Sequence, residues 1–276
     1  MSLKYENLKS KYLDLFDGNN EYFDYVMTDV IFVYEEISKI IEENKINKVL
    51  EVGSGTGIVL KELKDKFKDI EFVGLDPNQS GFHKHESVSK KLKQIDSAIN
   101  IIKTSINNYD SEKKYDLIFS FNVFEHVSEQ QKYLLKTYDL LAANGKNIIY
   151  APNYDVPYEP HFVIPIIFNK KITKKIFKKK IQEYETKAKE DGLWEDLNFT
   201  GKKEIKAFLD KNNFNYIFDD NIVNTMISRA SNDSIFRKRQ GIAAKLSNIG
   251  KKLFLDKVIF QYLKIPFPYF KLIISK

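Results

Sequence analysis

The sequence predicts an α/β fold, a mostly parallel sheet with helices on both faces, and three observations carry that prediction. Short aliphatic runs alternate with amphipathic segments between residues 48 and 151. The first run, at residues 49–57, breaks into glycines as VLEVGSGTG. The second, FVGLDPN, ends in an acid, Asp76, which lies 19 residues beyond Gly57. Strand, tight turn, helix and a carboxylate at the next strand tip together describe a nucleotide- or nucleoside-binding α/β protein.

Each element follows from its pattern. Phe23, Val26, Met27, Val30, Val33, Tyr34, Ile37, Ile40 and Ile41 recur at helical spacing and predict an amphipathic helix before the first strand, residues 48–52. The next helix should bury Leu60, Leu63 and Phe67, and residues 71–75 form the second strand. Residues 78–97 are polar and read as helical, and Ile101 and Ile102 suggest a third strand. The run YDLIFSF, 115–121, reads as a buried fourth strand. A helix over about 133–141 is expected to end at Asn144-Gly145, and residues 148–151 give a fifth strand.

Beyond that point the pattern changes. Residues 152–200 are loop-like and lysine-rich, a helix is expected at 203–209, and strands at 214–218 and 269–275. The expected organisation is one domain over 1–276. It has an N-terminal helical segment (1–44), a core (45–151) and two further irregular stretches, 152–200 and 220–265. Around Ile172, Ile176, Phe177 and Ile181 stand lysines 170, 171, 174, 175, 178, 179 and 180, which predicts one apolar stripe on a lysine-covered helix. The same charge could also attract an anionic substrate or give weak membrane-surface association.

Composition narrows the classes. Net charge is +6, yet only three of the 44 basic residues are arginines, Arg229, Arg237 and Arg239. Arginine is the preferred reader of phosphates and bases, so no nucleic-acid partner is expected. With no cysteine, disulfides, thiolate catalysis and cysteine-ligated metals are excluded. No compelling metal cluster stands out, and none is expected. The opening MSLKYENLKSKY is too polar for a secretory signal, and the expectation is a cytoplasmic protein.

The spacing of Gly53, Gly55 and Gly57 is G-x-G-x-G, one residue short of the dinucleotide fingerprint, and no lysine follows as in a phosphate-binding loop. With Glu51 before it, this segment resembles the first motif of the class I S-adenosylmethionine-dependent methyltransferases. That resemblance implies a Rossmann-like fold whose seven-stranded sheet ends in an antiparallel edge hairpin, here 214–219 with 268–275, which leaves 152–200 and 220–265 as helical insertions that cap the substrate side. It also implies S-adenosylmethionine as cofactor. Glu51, Gly53, Ser54, Gly55 and Gly57 would meet its methionine portion, and Asp76, followed by Pro77, its ribose. Thr104, Ser105 and Ile106 would lie near the adenine, with Ser105 where many relatives have aspartate. Phe121 and Asn122, opening FNVFEHV, would face the methionine end.

Glu125 and His126 in that segment invite an acid–base reading. However, adjacent side chains on a helix start point about 100° apart, which favours a structural or cofactor-packing role. The fifth strand ends in IIYAPN and continues as YDVPYEPHF. This stretch resembles a subgroup found among bacterial sugar- and surface-glycan-tailoring enzymes. His161, with Tyr154 and Glu159 nearby, is the candidate for taking a proton from a hydroxyl nucleophile.

The expected function is methyl transfer to a small-molecule acceptor, most consistent with a hydroxyl of a sugar, phosphorylated or nucleotide-linked precursor in glycan or capsule-polysaccharide biosynthesis. The alternatives are N-methylation of a small amine or phospho-metabolite, a non-catalytic adenosylmethionine-binding module, and a nicotinamide-dependent oxidoreductase. The sequence leaves the oligomeric state open.

Overall fold

A computed structural model describes residues 5–77, 83–188, 192–240 and 266–276. Its centre is a seven-stranded sheet in the order β3-β2-β1-β4-β5-β9-β8. The strands are β1 (Lys48–Val52), β2 (Glu71–Leu75), β3 (Ile101–Ile102), β4 (Tyr115–Phe121), β5 (Leu141–Pro152), β8 (Asn215–Phe218) and β9 (Tyr269–Ser275). The first five run parallel, and β9 pairs antiparallel with both β5 and β8. The seven-stranded, mostly parallel sheet with an antiparallel edge pair is therefore present as expected. Its strand order reverses between β1 and β4, and ligands of open α/β sheets sit beyond the carboxyl ends of the strands at such a point.

Two helical layers cover the sheet. On one face lie α1 (Tyr5–Tyr12) and α2 (Asn20–Glu43). Phe23, Met27, Val33 and Ile37 of α2 join Val49, Leu117 and Ile148 of the sheet in one buried cluster. The helices α3 (Ile58–Lys66) and α4 (His83–Ile95) add Leu60, Leu63, Val88 and Leu92 to it. On the other face α5 (Gln130–Leu140) and α8 (Lys202–Lys211) bury Tyr133, Leu134, Ile205 and Leu209 against Leu50, Ile118 and Ile149. The run YDLIFSF is buried because both faces of β4 are covered.

Two expectations change. Helix α5 ends at Leu140, and β5 begins at once, so Asn144-Gly145 is not a helix cap. Asn144 adopts a left-handed conformation (φ 64°) where the β4–β5 register shifts between Tyr115 and Leu117, and the pair makes an irregularity inside the strand. The lysine-rich helix α6 (Lys170–Ala188) also differs, because Phe177 is non-helical (φ −102°, ψ 19°) and breaks the periodicity. Thr173 and Ile181 are buried, whereas Ile172 and Ile176 are exposed among the lysines.

The first insertion supplies a small hairpin, β6 (Tyr158–Glu159) with β7 (Ile164–Pro165), then α6 and the short α7 (Leu193–Asp196). Phe162, Ile164, Ile181 and Trp194 form its own buried cluster. Asn153, at the tip of β5, ties this segment down. Its side chain donates to the Phe267 carbonyl and accepts from the backbone N–H groups of Asp155 and Lys202. The second insertion begins with α9 (Asn221–Asn232), held to α2 by Arg229, which donates to the Thr28 carbonyl at 2.8 Å and to Asp29 at 2.6 Å. Residues 241–265 of that expected cap lie outside the described residues.

Candidate active site

A cleft opens beyond the carboxyl ends of β1, β2 and β4, walled on its other side by α2. It brings together Glu51, Gly53, Ser54, Gly55, Asp76, Pro77, Phe121, Asn122 and His161. The remaining expected residues are placed elsewhere. Gly57 is the N-cap of α3, Ile106 is buried in the core with Leu50 and Val52, and Thr104 and Ser105 are not part of the cleft lining.

The turn after β1 explains its glycines. Gly53, Gly55 and Gly57 all have φ between 51° and 78°, a region costly for residues with a Cβ. At Gly53 a Cβ would stand 2.2 Å from Cγ2 of Val123, and at Gly57 it would stand 2.4 Å from Cδ1 of Ile101. At these two positions close packing within the protein excludes a side chain. Asp76 fixes the turn across the strand tips, its carboxylate accepting from the Gly55 N–H at 2.7 Å. Asn122 turns the chain out of β4 with φ 52°, and its side-chain oxygen accepts from the Tyr269 hydroxyl at 2.5 Å.

Glu51 is buried, and its Oε2 has no hydrogen-bond partner among the described residues, nor does the Ser54 hydroxyl. Burial, with Asp76 close by, raises the Glu51 carboxyl well above the usual carboxylate range. A buried carboxylate oxygen without a donor is expensive unless a ligand supplies one. It fits the ammonium group of a bound methionine portion. This pocket end therefore suits the expected cofactor on its own chemistry.

The other end of the cleft is built by long-range contacts. Glu125 and His126 lie on a single 3₁₀ turn after β4. The turn is pinned from the first insertion by Asn198, whose N–H donates to the Glu125 carbonyl at 2.8 Å. The β6–β7 hairpin brings His161 to the same place, 3.5 Å from a Glu125 oxygen through Nε2. Behind it, Glu159 is fully buried and anchors His161 Nδ1 at 2.7 Å, the Phe162 N–H at 2.7 Å and the Tyr154 hydroxyl at 3.2 Å. Burial opposes charge on His161, but Glu159 and Glu125 outweigh it and hold the imidazole well above its ordinary value. His126 moves the other way, lowered chiefly by burial. One donor atom from each of Glu125, His126 and His161 lies within 4.8 Å of the others. Glu125 and His126, adjacent on the turn, thus bring one donor atom each close to His161, which approaches from another segment. Tyr154 and Glu159 support His161 and do not line the cleft.

Several cleft residues carry no signal in the motifs. Asp29 of α2 sits between Val26 and Val30, accepting from Arg229 and, at 2.9 Å, from Arg239. Both guanidiniums hold its buried carboxyl below the usual range against the opposing effect of burial. An aspartate on the apolar stripe of a helix was the available clue. Arg239, which also reaches the cleft, lies far along the chain in the second insertion.

With this geometry in place, the chain can be set beside known proteins. Residues 50–146 match the family described as a methyltransferase domain. That stretch is the β1–β5 core holding the glycine turn, Asp76 and the Glu125–His126 turn. The Glu51 oxygen, which has no hydrogen-bond partner among the described residues, is in keeping with the expected S-adenosylmethionine cofactor. An uncharacterized protein of Mycobacterium tuberculosis is 28% identical over 194 residues, 70% of this chain and 66% of that protein. A malonyl-[acyl-carrier protein] O-methyltransferase of Ilyobacter polytropus is 32% identical over 120 residues, 44% of this chain and 41% of that enzyme. A ubiquinone biosynthesis O-methyltransferase of Rickettsia felis is 26% identical over 126 residues, 46% of this chain and 47% of that enzyme. The chain thus spans between two fifths and two thirds of the length of these relatives. Among solved structures, a plantazolicin methyltransferase in complex with SAH aligns with TM-score 0.48 and 14% identity, over 98% of this chain and 90% of that one. Among the described residues no helix is long and apolar enough to cross a membrane.

Proposed function

We propose that this protein transfers the methyl group of S-adenosylmethionine to an oxygen of a small acceptor seated at the His161 end of the cleft. The observation that carries the reading is the cleft's two ends. One offers Glu51 and Asp76 to the cofactor, and the other gathers Glu125, His126 and His161 out of bulk water. The cofactor's sulfonium supplies an electrophilic methyl group. The chain's part is orientation and exclusion of water, which account for much of the barrier reduction in such transfers. Asp76 and Glu51 hold the donor side, and Phe121 and Asn122 line the passage between the two ends. His161, fixed by Glu159, stands at the acceptor oxygen, and it is the fraction with Nε2 unprotonated that can take the proton the hydroxyl sheds as the new bond forms.

Oxygen is preferred to nitrogen as the acceptor because the named relatives above are O-methyltransferases and because an oxygen nucleophile needs the polar groups gathered here. The acceptor class proposed is a hydroxyl of an anionic small molecule, such as a phosphorylated or nucleotide-linked sugar. The lysines of α6, in the same insertion as His161, support an anionic acceptor. Conversion of S-adenosylmethionine to S-adenosylhomocysteine, measured with a panel of sugar, phosphosugar and small amine acceptors, tests the reading. Turnover with a hydroxyl acceptor is expected. It should fall by orders of magnitude in His161→Ala while cofactor binding persists. Unchanged turnover in that variant would remove His161 from the reaction, and turnover with amines alone would overturn the oxygen assignment.

A further inference from the structure

We propose that Glu125, His126 and His161 together bind a divalent transition-metal ion at the acceptor end of the cleft. The inference rests on the methyl-transfer reading and deepens it: with the ion bound, Nε2 of His161 is a ligand, and the ion rather than the imidazole promotes loss of the acceptor's proton.

Three features of the cluster point this way. First, Glu125 is 2% exposed, and beyond His161 Nε2 at 3.5 Å neither of its carboxylate oxygens has a hydrogen-bond partner among the described residues. An interior carboxylate with so few donors is costly, and a metal ion taking the place of the His161 Nε2 proton relieves it more fully. Second, the donor set is two imidazoles and one carboxylate, a combination that suits zinc, manganese or iron and leaves coordination positions open to a substrate. Third, His161 is already oriented as a ligand. Its Nδ1 is engaged by the buried Glu159 carboxylate at 2.7 Å, which turns Nε2 toward Glu125. A carboxylate behind a histidine fixes the tautomer and the ring direction of metal-bound imidazoles in the same manner.

The distances are close to what coordination needs. Donors about 2.1 Å from one ion lie roughly 3 to 3.5 Å apart. The Glu125–His161 separation of 3.5 Å is already there, and the full set lies within 4.8 Å. Binding therefore asks only for a small inward shift. His126 is a cleft-lining residue, as is His161, so an ion held by them would be open to the acceptor side.

The test is a binding measurement on the whole chain. Protein treated with a chelator is titrated with Co²⁺, followed by its visible absorption, and then with Zn²⁺ by calorimetry. One ion per chain is expected, with Zn²⁺ displacing Co²⁺. Glu125→Gln and His161→Gln should each weaken binding by about a hundredfold or more. Glu159→Gln keeps all three donors and should weaken it by about ten- to a hundredfold. Calorimetry with S-adenosylmethionine on the same proteins shows whether the cleft is intact. Cofactor binding without saturable Co²⁺ absorbance, or equal Co²⁺ affinity in Glu125→Gln and the parent, overturns the ion site and leaves methyl transfer standing. Loss of cofactor binding in the parent protein would instead count against the methyl-transfer reading.

Discussion

At Glu51 the fold leaves a buried carboxylate oxygen at the cleft with no donor among the described residues, and Asp76 nearby makes ionising it harder still. Such a group contributes little to the empty protein and much to a bound ammonium. Glu51→Gln should therefore weaken S-adenosylmethionine binding by about 1.5 to 3 kcal/mol, roughly ten- to more than a hundredfold, while thermal stability is unchanged or rises. Calorimetry and a melting curve on the same sample check both halves. Residues of this kind were legible in the sequence because their placement is local: Glu51, the glycines and Asp76 sit at or just beyond the tips of adjacent strands. Glu125 and His126 were visible as letters, but their convergence was not. It depends on His161, some 35 residues away in the chain, on a hairpin whose two-residue strands carry almost no periodic signal.

Helix α6 shows the same limit at the scale of an element. Its hydrophobic residues suggest one stripe, but the kink at Phe177 rotates the two halves relative to each other and leaves Ile172 and Ile176 outside. Period counting assumes a straight helix, and no proline or glycine marks this break. The observed packing gives opposite outcomes for look-alike substitutions. Ile181→Ala should cost about 2 to 4 kcal/mol in denaturant unfolding, as for a buried isoleucine, and Ile176→Ala less than about 0.5 kcal/mol. The turn after β1 makes a second element-scale prediction. Gly53→Ala meets both a positive φ and the Val123 side chain, and should destabilise by about 2 kcal/mol or more. Adding Val123→Ala should recover the steric part and leave the backbone part, which a double-mutant cycle separates.

For the whole molecule, the mostly parallel sheet follows from alternating strands and helices and the antiparallel edge pair from the motif resemblance, so that much of the architecture was readable early. The α2 wall of the cleft was not, since it depends on how Asp29, Arg229 and Arg239 meet across three elements. One global property follows from this wall. His85, stacked on Tyr22 and lining the cleft, has its pKa pushed down to about 4 by burial, with Asp29 opposing the shift. A histidine kept neutral in the fold but protonated when unfolded costs stability as pH falls. The loss should begin near pH 6.5, grow as pH falls to about 4 and level off below it, reaching at most about 3 kcal/mol. His85→Gln should flatten that part of the pH–stability curve, as urea unfolding at several pH values would show. The central claim, that this cleft is an S-adenosylmethionine site, is tested most directly by titrating S-adenosylmethionine and NAD into the folded protein and its Asp76→Asn variant. Saturable one-to-one binding of S-adenosylmethionine, weakened at least tenfold in the variant, with no binding of NAD, is the predicted result. Folded protein that binds NAD, or that binds no S-adenosylmethionine, would contradict it.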